Sequence, residues 1–247
     1  MTGQELVAHM RESILSDETI PYMWQDIELL RYLNYAEVQA CRRGHLLIDD
    51  VTANDNGTAA TAGTLGQKPL CQLTIVAEQA QYRLSPKILM VKRCQFKSMT
   101  YPLSGPVAYS ELDELQAGWR GTSGTVGTAG SGGNPYFFLN EPVNTITFVL
   151  APSVTDTAYL VVSRIPLTPF TLQTSPEIEE KYHEGLMDWA AHLAYMKNDS
   201  DTLNLNLAAV YESRFAAQFG SLPDANSERI RKTLSMQQRM RPRTFGD

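Results

Sequence analysis

The hydrophobic period changes twice along this chain, and that change limits the open folds more than any other feature. Apolar residues recur at helical spacing near the N-terminus, at strand spacing through the middle, and at helical spacing again before the C-terminus. From Gly3 to Ser16, the residues Leu6, Val7, Met10, Ile14 and Leu15 would share one helix face. Thr19-Ile20-Pro21 interrupts that helix. A second pattern then runs through Trp24, Ile27, Leu30, Tyr35, Val38 and Cys41 to about Leu47. Asp26 and Glu28 lie near its start and Arg42, Arg43 and His45 near its end, the order that the helix dipole favours. At Ser175-Pro176-Glu177 the helical period returns, with Pro176 suited to a first helical position and Tyr182, Leu186, Trp189, Leu193 and Met196 as the stripe to be buried. After a break at Asn198-Asp199-Ser200, Leu207, Val210, Tyr211 and Phe215 carry a last helix to Gly220. Trp24, Leu30, Leu186, Trp189 and Leu193 are the predicted helical core.

Between the helical ends lie short β-branched or aromatic runs at 71–77, 81–84, 88–96, 135–140, 144–150 and 158–165, bounded by Pro, Gly, Asn or Ser. They predict a small antiparallel β domain. SELDELQAGW (110–119) reads as a short helix with Ser110 as its N-cap. The small, polar segment 49–68 reads as a mobile loop, and the glycine-rich 121–133 as a flexible insertion. The predicted class is therefore α+β: a four-helix bundle formed by N- and C-terminal helix pairs, with an inserted antiparallel β domain and an extended C-terminal tail. The segments are 1–50 (first helix pair), 51–69 (loop), 70–172 (β domain), 173–220 (second helix pair) and 221–247 (tail).

Composition and motifs exclude several function classes. A chain with 43% hydrophobic and 9% aromatic residues has too much to bury for wholesale disorder. No apolar run approaches the roughly 20 residues of a membrane span, and the start lacks a basic-then-apolar leader, so a soluble chain with no membrane partner is expected. Cys41, Cys71 and Cys94 are too far apart in sequence for a CxxC pair and read as reduced, packed thiols. Nucleophile-elbow, P-loop, zincin and dinucleotide-binding motifs are absent from the sequence. Glu180 and His183 have the i, i+3 spacing of half a carboxylate-bridged metal site, but the other helices hold no second copy. Asp188 and His192, at i and i+4, have the spacing of an acid–base pair, with a packed or solvated histidine as the simpler reading. His9 and His45 show no partner pattern. No catalytic residue, cofactor or metal is assigned, and the chain is not read as an enzyme.

Charge singles out the C-terminus. Within a chain of net charge -6, residues 227–247 hold Arg229, Arg231, Lys232, Arg239, Arg241 and Arg243 against only Glu228 and Asp247. Such a segment could neutralise nucleic-acid phosphates, so a DNA-binding accessory protein is the alternative function. Leu234, Met236, Met240 and Phe245 are interleaved with the arginines, and apolar anchors favour a protein partner. The predicted partner contacts are Arg229, Arg231, Leu234, Met236, Met240, Arg241 and Phe245.

Four stretches resemble the head-to-tail adaptors of tailed bacteriophages, also called head-completion or tail tubular proteins in short-tailed phages. They are DIELLRYLNYAEVQACRRGHLLID (26–49), YRLSPKILMVKRCQF through YPL (82–103), ELDELQAGWRG (111–121) with PYFFL (135–139), and YHEGLMDWAAHLAYMKNDSDT (182–202). The last is the most specific, through Tyr182, His183, Leu186, Trp189, Ala190, Ala194, Tyr195 and Asp199. The resemblance implies a helical bundle seated on the portal protein, a β domain facing the tail, and a dodecameric ring of neighbouring copies. It also implies a C-terminal segment docked on the portal and a platform for the tail or nozzle protein. Genomic DNA would pass through the channel without sequence-specific binding, and an acidic wall would repel it. The protein would be made in the host cytoplasm and reside in the virion at the head–tail junction.

Overall fold

Thr2 opens the first helix with a reciprocal cap. Its hydroxyl accepts the Glu5 N–H and the Glu5 carboxylate accepts the Thr2 N–H, which fixes the start of α1 (Gly3–Met10). The computed structural model describes residues 1–55, 68–115, 119, 135, 137–139, 144–198 and 202–228. One π-type turn (Arg11–Leu15) extends α1 as far as Ser16, which closes it in the left-handed conformation at φ 51°. Leu6, Val7, Met10 and Leu15 are buried, as their spacing requires.

Helix α2 (Asp26–Gly44) ends before Leu47 because His45 adopts φ 49° and donates its N–H to the Cys41 carbonyl. The freed residues form β1 (Leu47–Asp49), a strand that the sequence pattern assigned to a helix end and a loop. The loop reading of 49–68 also needs correction at its edges. Asn54 bridges Pro69 and the Asp55 N–H reaches the Lys68 carbonyl at 3.1 Å, so both ends are pinned together. Most of that segment, and all of 121–133, lies outside the described residues.

The middle of the chain supplies β2 (Gln72–Ile75), β3 (Gln81–Arg83), β4 (Ile88–Phe96), α3 (Tyr109–Leu115), β5 (Phe137–Leu139), β6 (Thr145–Val149) and β7 (Asp156–Arg164). Strand β7 lies between β1 and β2 and also pairs with β4, while a second sheet has the order β3-β6-β5. The printed registers are antiparallel, with Gln72 opposite Tyr159, Gln81 opposite Thr147 and Phe137 opposite Val149. Phe148 meets Tyr82 and Phe96 edge-on, at centroid distances of 5.7 and 5.0 Å. Helix α3 begins at Tyr109, one residue before the proposed cap Ser110. Buried Trp119 stacks on Tyr109 and donates its indole N–H to Asp113 at 2.6 Å.

Helix α4 (His183–Tyr195) starts well after Pro176, preceded by a single 3-10 turn at Glu180–Tyr182. The Glu177 and Ile178 N–H groups are given to the Glu37 carboxylate, and the Glu177 carboxylate accepts the Leu167 and Thr168 N–H groups. Those tertiary bonds hold the segment outside helical geometry. Helix α5 (Leu205–Phe219) is capped by Asn204, whose side chain accepts the Leu207 N–H. The chain is thus α+β with antiparallel sheets. It divides into a helical unit, Met1–Leu47 with Arg164–Pro223, and a second unit built on Ile48–Ser163.

The helical core includes Leu6, Met10, Leu29, Leu33, Leu186 and Phe215. Three predicted stripes are rotated from those observed. Helix α2 buries Leu29, Leu33, Ala36 and Ala40 and exposes Ile27 and Tyr35. Helix α4 buries Leu186, Met187, Ala190, Ala191 and Ala194, leaving Trp189 and Leu193 half-buried and Met196 exposed. Helix α5 buries Ala208, Phe215 and Phe219 but exposes Leu207 and Val210. Small residues let the backbones approach. At Gly185 a Cβ would lie 2.0 Å from Gln218 Oε1 and 2.8 Å from the Phe219 ring. Beyond Pro223, Asp224 caps a helical turn by accepting the Ser227 N–H at 2.6 Å, so the tail is not extended from its first residue.

Candidate functional site

Three buried polar anchors stiffen the helical unit, and each ties a helix to a segment that lacks regular structure. Arg11 lies at the end of α1, where the π-type turn carries its side chain inward. Its guanidinium donates to Asp17 at 2.8 Å, to Asp26 at 2.7 Å and to the Trp24 carbonyl, and lies 3.9 Å over the Tyr22 ring. Asp17 in turn accepts the Met23 and Trp24 N–H groups. Arg11 and Asp17 are buried while Asp26 is exposed, and the matched charges together hold the α1–α2 connection in one shape. Ile20, Tyr22 and Met23 remain exposed on that connection.

Glu37 is the second anchor. It is 1% exposed, and its Oε1 accepts the Glu177 N–H at 2.6 Å and the Ile178 N–H at 3.3 Å. Burial pushes its pKa up from 4.5 to about 7, the two N–H donors and Arg164 oppose that rise, and Glu177 adds to it. The third anchor is Arg43. Its cation lies 4.7 Å from the Trp189 ring centre and 4.8 Å from that of Phe215, and it donates to the Gly220 carbonyl at 3.2 Å. That bond fixes the point at which the chain leaves α5.

Of the four residues with possible chemistry, Glu180 and His183 share the Met1 nitrogen, while His192 and Asp188 are not bonded to each other. Glu180 pairs with the Met1 ammonium at 3.0 Å. His183 is buried between the Ile178 carbonyl and the Met1 nitrogen, at 3.0 and 3.2 Å. His192 meets the Ala208 carbonyl of α5 at 2.9 Å rather than Asp188. Burial raises the Asp188 pKa and Arg214 lowers it, with a net rise. Among the described residues no group of His, Cys, Asp and Glu could hold a metal, and no helix is long and apolar enough to cross a membrane. The three cysteines are buried and form no disulfide, the Cys71 thiol donates to Asp49 at 3.5 Å, and burial pushes the Cys41 thiol up to about 12.

Of the predicted core, Trp24, Leu30 and Leu186 are buried, while Trp189 and Leu193 are half-buried. The predicted contacts Arg229, Arg231, Leu234, Met236, Met240, Arg241 and Phe245 lie outside the described residues. Sequence reasoning missed the three anchors, because a charged residue on a helix reads as solvated until its tertiary partners are known. The apolar positions beside Arg11 and Glu37 were the available signal.

The SU10 adaptor protein family model matches residues 1–243, and the chain belongs to that family. The match covers the described units and most of the basic C-terminal segment, and it bears out the resemblance to phage head-to-tail adaptors. No curated protein matches the chain. The family is one of structural phage adaptors, which places the protein in the virion.

Proposed function

We propose that copies of this chain form a dodecameric ring on the portal protein, complete the DNA channel after packaging and give the tail or nozzle protein its docking platform. In this reading the helices form a four-helix bundle on the portal side, and the β unit faces the tail. Residues 229–247 contact the portal through Arg229, Arg231 and Arg241 and through Leu234, Met236, Met240 and Phe245. The observation that carries the reading is the family match, which runs from residue 1 to residue 243 and so includes nearly all of that contact segment. Charge supports it. The cationic segment suits an acidic partner surface, while the acidic remainder of the chain would repel DNA sliding through a ring.

Full-length protein and a version ending at Gly220 are mixed with the portal ring of the same phage and followed by sedimentation and negative-stain imaging. The full-length chain is expected to add a ring to the portal and the shortened chain to lose it. Absence of association with the full-length chain removes the reading. Steeply salt-dependent binding to duplex DNA in its place would establish the nucleic-acid alternative.

A further inference from the structure

Helix α5 carries more apolar surface than its own unit covers. Its inward stripe is Ala208, Phe215 and Phe219, yet Leu205, Leu207 and Val210 are 64%, 38% and 44% exposed. Leu207, Val210, Arg214 and Ala217 follow one another at intervals of three and four residues, so they form a continuous outer stripe. Arg214 is its single charge, exposed and placed over the Tyr211 ring at 5.1 Å. Met196 and Leu203 extend the apolar surface beside the start of the helix.

Helix α1 presents the complementary surface. Glu5, Ala8 and Glu12 are exposed at the same three- and four-residue spacing, giving a small-residue depression between two carboxylates. Helix α4 contacts both helices. On α4, Trp189 and His192 meet Phe215 and Ala208 of α5, and a Cβ on Gly185 would strike Gln218. His183, about 200° around the helix from Gly185, meets Met1 at the beginning of α1. Both stripes are exposed in a single copy, so neither covers the other within it.

We propose that the outer stripe of α5 docks on the α1 stripe of a second copy of this chain, with Val210 over Ala8 and Arg214 against the Glu12 carboxylate. The knob, the depression and the charges match in sign and spacing, and helices pack by such ridges and grooves. The two faces differ, so the contact is head-to-tail and a bound pair still offers one free stripe of each kind. Repetition of one rotation closes such a chain into a ring. The inference rests on the ring reading above and names its subunit contact.

The test uses full-length protein in sedimentation velocity, alone and with the portal. Val210→Asp, Glu12→Arg and Arg214→Glu should each abolish the assembly formed by the native chain. The double variant Glu12→Arg/Arg214→Glu should restore it, a recovery that damage to folding would not give. A mixture of Val210→Asp, whose α1 stripe is intact, with Glu12→Arg, whose α5 stripe is intact, should stop at one copy of each. Single variants that assemble like the native chain, a double variant that stays apart, or a native chain that is monomeric both alone and on the portal would overturn the contact. If the native chain ignores the portal yet assembles through these stripes, the adaptor reading fails and the contact stands. If the variants assemble normally on the portal, the contact fails and the adaptor reading stands.

Discussion

Replacing Glu37 by Gln should make the helical unit more stable at alkaline pH while changing little at acid pH. The Glu37 carboxyl is 1% exposed, and burial raises its pKa from 4.5 to about 7, with Glu177 adding to the rise and Arg164 opposing it. A carboxyl whose pKa is raised on folding contributes stability fully present below about pH 4.5 and lost as pH climbs through about 7, because the folded state then holds a buried charge. Each pKa unit is worth about 1.4 kcal/mol, so the ionised side chain costs about 3 kcal/mol by pH 8. Glutamine keeps a carbonyl oxygen for the Glu177 and Ile178 N–H groups and cannot ionise. Urea unfolding, followed through the fluorescence of Trp24 and Trp189, is measured for both proteins from pH 5 to pH 8. The difference between them cancels the histidines and every other shared titration. It should grow in favour of the glutamine variant by about 2.5 kcal/mol across that range. A difference that does not change with pH, whatever its size, would refute the buried-carboxylate account. A fixed offset would report only how the amide nitrogen is accommodated.

Two further predictions concern the Arg11 brace and the packing of α4 on α5. Asp17→Ala leaves the Arg11 guanidinium buried with one carboxylate fewer and releases the Met23 and Trp24 N–H groups. Thermal unfolding should show a loss of about 3 to 5 kcal/mol, with faster proteolysis between residues 17 and 25, and an unchanged cleavage rate there would argue against the brace. Gly185→Val places a branched side chain where a single Cβ already falls 2.0 Å from Gln218 and 2.8 Å from Phe219. It should cost about 1 to 3 kcal/mol by thermal unfolding and shift Trp189 emission, and full stability would mean that α4 and α5 are less closely packed than described.

The sequence was most readable where stability is local. Strands β2 to β7 coincide with the β-branched and aromatic runs, and α1 starts at its capping box, because neighbours in sequence decide both features. Long-range bonds explain the misreadings. Pro176 and its acidic neighbours look like a helix start, but Glu37, 140 residues earlier, takes the Glu177 N–H and the helix begins at His183. The rotated stripes have another cause. Counting large apolar side chains points to Leu207, Val210 and Met196, whereas the close helix contacts are made with alanine and with Gly185. Strand β1 was missed because three residues after a left-handed His45 carry no period of their own. The same bias hid the anchors, since Glu37 and Arg43 gain their roles from partners distant in the chain and Arg11 gains its role from the way the α1–α2 connection folds back.

Assembly of the helical unit from both flanks of the β unit sets the order of events during synthesis. Residues 1–47 emerge first, yet α4 and α5, which cover them, are not finished until about residue 223. At typical translation speeds, roughly 10 to 30 s separate the two. Throughout that interval Leu29, Leu33 and Met10 have no α4 to pack on, while the strands between them can already pair. Nascent α1 and α2 are therefore natural clients for a chaperone. A ribosome that stalls inside the β unit releases a chain without α4 and α5, one whose first helices keep their apolar faces uncovered. The threading order thereby leaves a complete helical core only to chains translated through their last helix.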